Sequence, residues 1–285
     1  MTKRVASHAL VLPFLMLAGL WTAASAADRC DEIVATGHPD YVPFSWKSGD
    51  SLDGASVDIA KLIAHKLGKP IRVVHSGSWK RAQAAVFTGE VDLLLALYFT
   101  EARAERLYYT SPVTSEPVVA ITLTDTDLHY RKREDLEGFQ GGKVIGDSFG
   151  DELDAYASKS LKLHTVPTVE HLLNLLDHKR IQYAVHGLYP VLVTAHKMGM
   201  GARVRTLIPP LTQETSYMAI SKRSPCVALL ETISAEVESM RATGVVDSFL
   251  KSNWDKWARS ENTGVAPPPL PKLPEAEDEG QPEKP

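Results

Sequence analysis

Cysteine is scarce in this chain: Cys30 and Cys226 are the only two in 285 residues. Far apart and outside any Cys-x-x-Cys pattern, they exclude a thiol redox motif and a cysteine-built metal site. The histidines are scattered; His164 and His171, among the closest, fall on different predicted elements, so no paired metal spacing exists. Nucleotide motifs are missing as well. "GGKVIG" is not GxGxxG, no Walker sequence occurs, and "GDSFGDE" lacks the Gly-x-Ser-x-Gly form of a nucleophile elbow. There is no excess of basic charge: 31 Lys and Arg against 35 Asp and Glu give a net charge of −4 without a basic block, so nucleic acid is not an implied partner. After the first 26 residues no long apolar run appears, which excludes a membrane-spanning helix in the body.

What is present begins with a targeting signal. "MTKRVASHALVLPFLMLAGLWTAASA" has a basic start, an apolar middle and small residues at its end, the pattern of a secretory signal peptide cleaved after Ala26. No cysteine stands at that junction, so a lipid anchor there is not expected, and the mature protein is expected to be soluble outside the cytoplasm. At the other end, residues 259–285 contain "APPPLPKLPEAEDEGQPEKP", rich in proline and acid and without apolar periodicity; this reads as a disordered tail. For an exported chain, two cysteines suggest a Cys30–Cys226 disulfide, with two separately buried thiols as the alternative.

The body between them alternates strand and helix. "EIVATG" is a short strand, "HPDYVPFSW" an extended turn, and "SVDIAKLIAHKLG" an amphipathic helix with Gly68 as its stop. Strand "PIRVVHSG", helix "SWKRAQAAVFTG" and the apolar strand "VDLLLAL" follow. Right-handed crossovers between such strands imply a parallel sheet covered on both faces. A second unit repeats the alternation: "GKVIGDSFG", a helix over 151–160, strand "LKLHTV", helix "TVEHLLNLLDHKR", strand "IQYAVHG", a helix-like "LYPVLVTAHKMG" and a strand near "RVRTLI". The last helices start at Cys226; if that residue bonds Cys30, they pack on the first unit and the second unit is an insertion. The predicted division is a signal peptide at 1–26, lobe 1 at 27–120 and 217–258, lobe 2 at 121–216, and the tail at 259–285. Two extended crossings, near 118–123 and 215–220, then form a hinge.

One segment, "ALYFTEARAERLYYTSP", raises a question of chemistry. Thr100 is placed as an N-cap with Arg103 in the first turn, where a cation opposes the helix dipole unless an anion or a nearby glutamate offsets it. A surface arginine in a Glu-Arg pattern and an anion clamp are equally compatible with these residues alone.

The wider pattern resembles the extracytoplasmic solute-binding proteins of bacterial ABC importers, specifically the polar amino acid-binding family 3. "YVPF", "GASVDIAKLIAHKLG", "SWKRAQAAVFTGEVDLLL" and "TEARAERLYYTSP" match four of its motifs in order, and the likeness runs from about Ile33 to Trp254. It implies a two-lobed periplasmic-binding-protein-like α/β fold of type II, each lobe a mainly parallel sheet flanked by helices. It further implies that Tyr41 and Trp79 sandwich a ligand side chain, that Ala96 offers a backbone carbonyl, and that Tyr98 stands where a small hydroxyl residue is usual. By the same resemblance Arg103 pairs bidentately with the ligand carboxylate, and Ser148, Phe149 and Gly150 supply backbone N–H groups. The expected role is capture of a small carboxylate-bearing solute, an amino acid or related organic acid. A monomer without cofactor or metal would then deliver it to a permease in the inner membrane.

One departure stands out. Members that bind α-amino acids carry an aspartate at the end of a second-lobe strand; here Gly187 holds that place, with His186 beside it as a substitute or as a packed residue. The aromatic set Tyr41, Trp79, Tyr98 and Phe149 suits an apolar or aromatic acid, or a cation facing the rings. The alternatives are a periplasmic dehydratase of the same fold acting on prephenate or arogenate, which needs a carboxylic acid that no residue is seen to aim into the cleft, and an accessory or sensory binding protein without a transport role.

Overall fold

The computed structural model describes residues 30–260; the expected signal peptide and nearly all of the expected tail lie outside them. Strand β1 (Ile33–Gly37) opens the first lobe, and the "HPDYVPFSW" segment forms more than a turn. It folds with the polar residues after it into a small antiparallel sheet of β2 (Asp40–Tyr41), β3 (Ser45–Ser48) and β4 (Ser51–Asp53). Sequence reasoning missed this sheet because strands of two to four residues leave no legible alternation.

The small sheet prepares the start of α1 (Ala55–Lys66). Helix starts leave backbone N–H groups unpaired. Gly54 has no capping side chain, and the N–H groups of Ala55 and Ser56 donate instead to the carbonyls of Pro43 and Phe44, each at 2.9 Å. This approach needs glycine: Gly54 has φ 130°, and a Cβ there would overlap the Phe44 carbonyl. Two motifs that look independent in the sequence are thus one device, and it holds Tyr41 at the edge of the lobe.

After α1 come β5 (Ile71–Val73), α2 (Trp79–Thr88), β6 (Leu93–Tyr98), the single turn α3 (Glu101–Ala104) and β7 (Leu107–Tyr109). Strands β5, β1 and β6 pair in parallel, as the crossover rule predicts. A long strand, β8 (Thr114–Leu123), leads to the second lobe: β9 (Gln140–Val144), α4 (Asp151–Ser160), β10 (Lys162–Val166), α5 (Val169–Asp177), β11 (Tyr183–Gly187), α6 (Leu188–Lys197) and β12 (Val204–Thr206). Here β10, β9 and β11 are parallel. Helix α5 is capped by the Thr168 hydroxyl, which accepts from the His171 N–H, and buries Val169, Leu172, Leu173 and Leu176 against Val144 and Ile181.

The chain returns along β13 (Thr212–Ser221), antiparallel to β8 over Thr212–Ser216 and to β6 beyond it. The crossings pair with each other a few residues from where they were expected: Thr114–Val118 of β8 lies against Thr212–Ser216 of β13, while 118–123 pairs with β11 and β12, and the two long strands join both lobes into one sheet, ordered β10-β9-β11-β8-β13-β6-β1-β5. Helices α7 (Leu230–Ala242) and α8 (Val245–Ser260) then pack on α1, where Asn253 donates to Asp58 at 2.7 Å. Helix α8 runs to Ser260, into the segment where the tail was expected to begin. No helix among the described residues is long and apolar enough to cross a membrane.

Cys30 and Cys226 are bonded, tying the C-terminal helices to the start of β1 across 196 residues of sequence. Both cysteines are buried. Closing so long a loop removes much entropy from the unfolded chain. Replacing both cysteines by serine is expected to lower stability by about 2–5 kcal/mol, measured by urea unfolding; an unchanged midpoint would show that helix packing alone holds the end of the chain.

Candidate functional site

The carboxyl ends of β1, β6, β9 and β11 meet where the lobes face each other. A cavity of about 30 Å³ lies there, lined by His38, Tyr41, Trp79, Ala96, Leu97, Tyr98, Arg103, Asp147, Ser148, Phe149, His186 and Gly187. Of the residues expected from the sequence, only Gly150 lies outside the lining; it caps α4 and packs against the Glu214 carboxylate. Ser148 and Phe149 are partly committed elsewhere, since the Ser148 hydroxyl and the Phe149 N–H both donate to Asp154. The lobes touch across the cleft: Gln83 donates to the Gly146 carbonyl at 3.1 Å, and the Glu101 N–H donates to Asp151 at 2.9 Å.

Arg103 is no surface charge. It is 6 % exposed, and its guanidinium donates to the carbonyls of Tyr98 (2.9 Å) and Gly146 (3.4 Å), one from each lobe, while lying 5.8 Å over the Trp79 ring. Among the described residues no carboxylate is within ion-pair distance of it. Thr100 caps α3 as expected, accepting from the Arg103 N–H. But α3 is one turn long, so its third residue is also in its last turn, and the expected conflict with a helix dipole does not arise. Burial pulls the guanidinium below its ordinary range, yet an arginine stays charged in a protein. The cleft thus holds a buried cation whose side-chain hydrogen bonds run to backbone carbonyls and whose face lies over the Trp79 ring.

Ala96 has φ 52°, in the left-handed region that non-glycine residues rarely enter. Opposite it the β6–β13 register slips: Leu94 faces Ala219 and Leu97 faces Tyr217, so Leu95 and Ala96 stand against Met218 alone. The extra residue is a β-bulge, which re-aims the backbone where β6 enters the cleft.

Sequence reasoning missed three residues. His38, in "GHPDY", touches both Tyr41 and Trp79, with ring centroids 5.4 and 5.1 Å apart, so the two rings expected to sandwich a ligand are bridged by an imidazole. Asp147 lines the cavity. Glu116, on β8, is fully buried, and its carboxylate accepts from the hydroxyls of both Tyr41 and Tyr98. The expectation that no acidic side chain enters this region is therefore corrected. Nothing in "TSEPVVA" marks Glu116 as internal; only the pairing of β8 turns it inward. It occupies the space that Gly187 leaves open, for a Cβ on Gly187 would overlap the Glu116 carboxylate.

The two tyrosine hydroxyls also contact each other at 2.6 Å, so with Glu116 Oε1 they form a triangle of three oxygens. Burial pushes the pKa of Glu116 up to about 7, opposed by the hydrogen bonds it accepts from the two tyrosines. Asp147 and, directly across the hinge strands from Glu116, Glu214 are also raised to about 7 by burial. His186 is lowered to about 4 by burial. Below pH 7 the cleft therefore carries Arg103 and little negative charge.

The family described as bacterial extracellular solute-binding proteins, family 3, matches residues 33–256. Among solved structures, a mutant of ArgBP from T. maritima superposes with a TM-score of 0.68 at 19% identity, covering 81% of this chain and 99% of that one. A histidine kinase sensor domain with similarity to periplasmic binding proteins gives 0.67 at 22%, covering 85% and 100%. The substrate binding protein of an amino acid ABC transporter gives 0.64 at 20%, covering 80% and 99%. At these identities the likeness is one of fold. The virulence sensor protein BvgS of Bordetella pertussis is 28% identical over 86 residues, and the chain spans only 7% of its length.

The folded chain holds the Glu116 proton to about pH 7, whereas a free glutamate releases it near 4.5. This stabilisation is complete below pH 4.5 and declines as pH rises to about 7, by on the order of 3 kcal/mol. Glu116→Gln should remove that share of the decline, with Asp147 and Glu214 accounting for what remains. Urea unfolding at pH 5 and pH 8 measures it, and an identical slope in the variant would mean that Glu116 is ionised throughout.

Proposed function

We propose that this chain, which belongs to the bacterial extracellular solute-binding proteins of family 3, captures a small carboxylate-bearing solute in the cleft between its lobes. The observation that carries this reading is Arg103: a buried guanidinium, without a carboxylate partner among the described residues, whose cavity is walled by both lobes. Its planar fork fits a carboxylate with two parallel hydrogen bonds, stronger in a dry site than in water. The solute is an amino acid or a related organic acid. It docks on the first lobe against Arg103, Trp79 and Tyr98, and the second lobe closes over it by rotation about β8 and β13.

Delivery to the permease of an ABC importer follows from this reading, and a neighbouring fold that is the substrate binding protein of an amino acid ABC transporter supports it. A second reading, in which the closed cleft reports a solute to a partner, is supported by the histidine kinase sensor domain and by BvgS. A pull-down from periplasm, with and without residues 259–285, separates the two: recovery of a permease favours transport, and tail-dependent recovery of another protein favours the accessory role. An enzymatic reading would use a buried carboxyl such as Glu116 or Asp147 to assist a leaving group. Binding alone predicts that incubation with prephenate yields no phenylpyruvate.

A thermal-shift screen of amino acids and small organic acids is expected to find ligands that raise the melting temperature. Arg103→Ala should weaken each hit by about 100-fold, and Arg103→Lys should recover only part, since an ammonium lacks the fork. Full affinity in Arg103→Ala would remove the carboxylate anchor.

A further inference from the structure

A second cavity, of about 210 Å³, opens between the lobes. It shares no lining residue with the solute cavity: His38 and Tyr41 face that one, whereas Pro39, Asp40 and Val42 face this one, so the β2 segment is a partition between the two. Lobe 1 walls the groove with β2, β3 and α8, and lobe 2 walls it with α5 and with α6, which packs against β2. Whatever sits there touches both lobes and the segment that carries Tyr41. Its apolar surface comes from the rings of Trp46 and Trp257 and from Pro39, Pro190, Val42 and Val193. Aromatic-lined grooves take proline-rich segments, whose extended backbone is largely preformed and loses little entropy on docking. Charges of both signs also line the groove: Asp40 and Glu170, Lys47 and Lys197. The Asp40 carboxyl is raised by burial and then by Glu170, with Lys197 and Lys47 opposing, so the four lie within electrostatic reach of one another.

The chain carries a segment of matching chemistry that starts beside this groove. Trp257 lies within the last turn of α8, which ends at Ser260 with the described residues. Six residues then separate Ser260 from "PPPLPKLP", Pro267 to Pro274. They span up to roughly 20 Å, enough to double back to Trp257. Lys272 stands within the proline run, and Glu275, Glu277, Asp278 and Glu279 follow it, so this segment offers a cation and then a block of acid. Tethered to α8, it meets the groove at an effective concentration on the order of millimolar. Modest contacts then suffice to seat it.

We propose that residues 267–279 seat in this groove and clasp the two lobes together. The prolines lie against Trp46 and Trp257, Lys272 meets Asp40 and Glu170, and the acids that follow meet Lys47 and Lys197. The chain's own C-terminal segment thereby favours the closed form. This holds whichever solute the other cavity takes, and it does not depend on the solute-binding reading.

Zero-length carbodiimide coupling of the full-length protein, read by peptide mass spectrometry, tests the seating, because it joins only amines and carboxylates in contact. Links are expected from Lys272 to Asp40 or Glu170, and from residues 275–279 to Lys47 or Lys197. Mixing isotopically heavy and light protein shows whether they form within one chain, as expected; links between heavy and light chains would give the groove to a second copy and overturn the proposal. The full-length chain with the five prolines of 267–274 changed to serine should lose these links, and so should Trp46→Ala. The serine variant leaves the folded body untouched, so it decides the matter should Trp46→Ala fail to fold. Spin labels at Arg81→Cys and Lys159→Cys, one on each lobe, read the clasp: both native cysteines are bonded, so only the new thiols take label. The interlobe distance should lengthen by a few ångström when the prolines are replaced. Links that reach Lys162 and Lys179 as often as Lys47 and Lys197, links that persist in the serine variant, or an unchanged interlobe distance would each show the clasp to be wrong.

Discussion

The antiparallel pairing of β8 with β13 is the constraint on which the rest of the molecule depends. Each strand is ten residues long, and the two run side by side between lobes that are otherwise separate parallel sheets. Because they pair with each other, the chain leaves the first lobe and returns to it at one place. The carboxyl ends of the strands of both lobes are thereby brought to a common cleft. The same pairing sets Glu116 opposite Glu214, two carboxyls at the pivot that burial keeps largely protonated below pH 7. Two ionised carboxylates directly opposed would weaken the ribbon.

The cleft is asymmetric in charge. The first lobe supplies Arg103, whose guanidinium donates to backbone carbonyls and lies over Trp79, and the second lobe supplies Asp147 and His186, which face each other at 3.4 Å. Between them stand His38, Tyr41, Trp79 and Tyr98, an aromatic wall in which both phenol tips are tied to Glu116 and the His38 Nδ1 to the backbone.

Much of the architecture was legible because each lobe is built from local signals. Gly68 and Gly89 end α1 and α2, Thr100 and Thr168 cap α3 and α5, and the apolar run of β6 is buried along its whole length. Arg103 was legible only in part. Its sequence neighbours left it between surface charge and anion clamp, and burial decided the matter. The Tyr41 hairpin, the bulge at Ala96 and the short β7 left no trace, because each depends on backbone pairing that residue type alone does not signal.

By itself the sequence determined the alternation of strand and helix, the cysteine pair, and the four motifs that mark the first lobe and its arginine. These are read from spacing and residue type, which local chain physics sets. Tertiary structure alone decided which side chains share the cleft. Glu116 turns inward because β8 pairs with both β11 and β13, and Gly187 is small enough to admit it. Asp147 meets His186 because β9 and β11 lie side by side, though a helix, a strand and a second helix separate them in the chain. Contacts of that kind arise from sheet register, which no single stretch of sequence encodes.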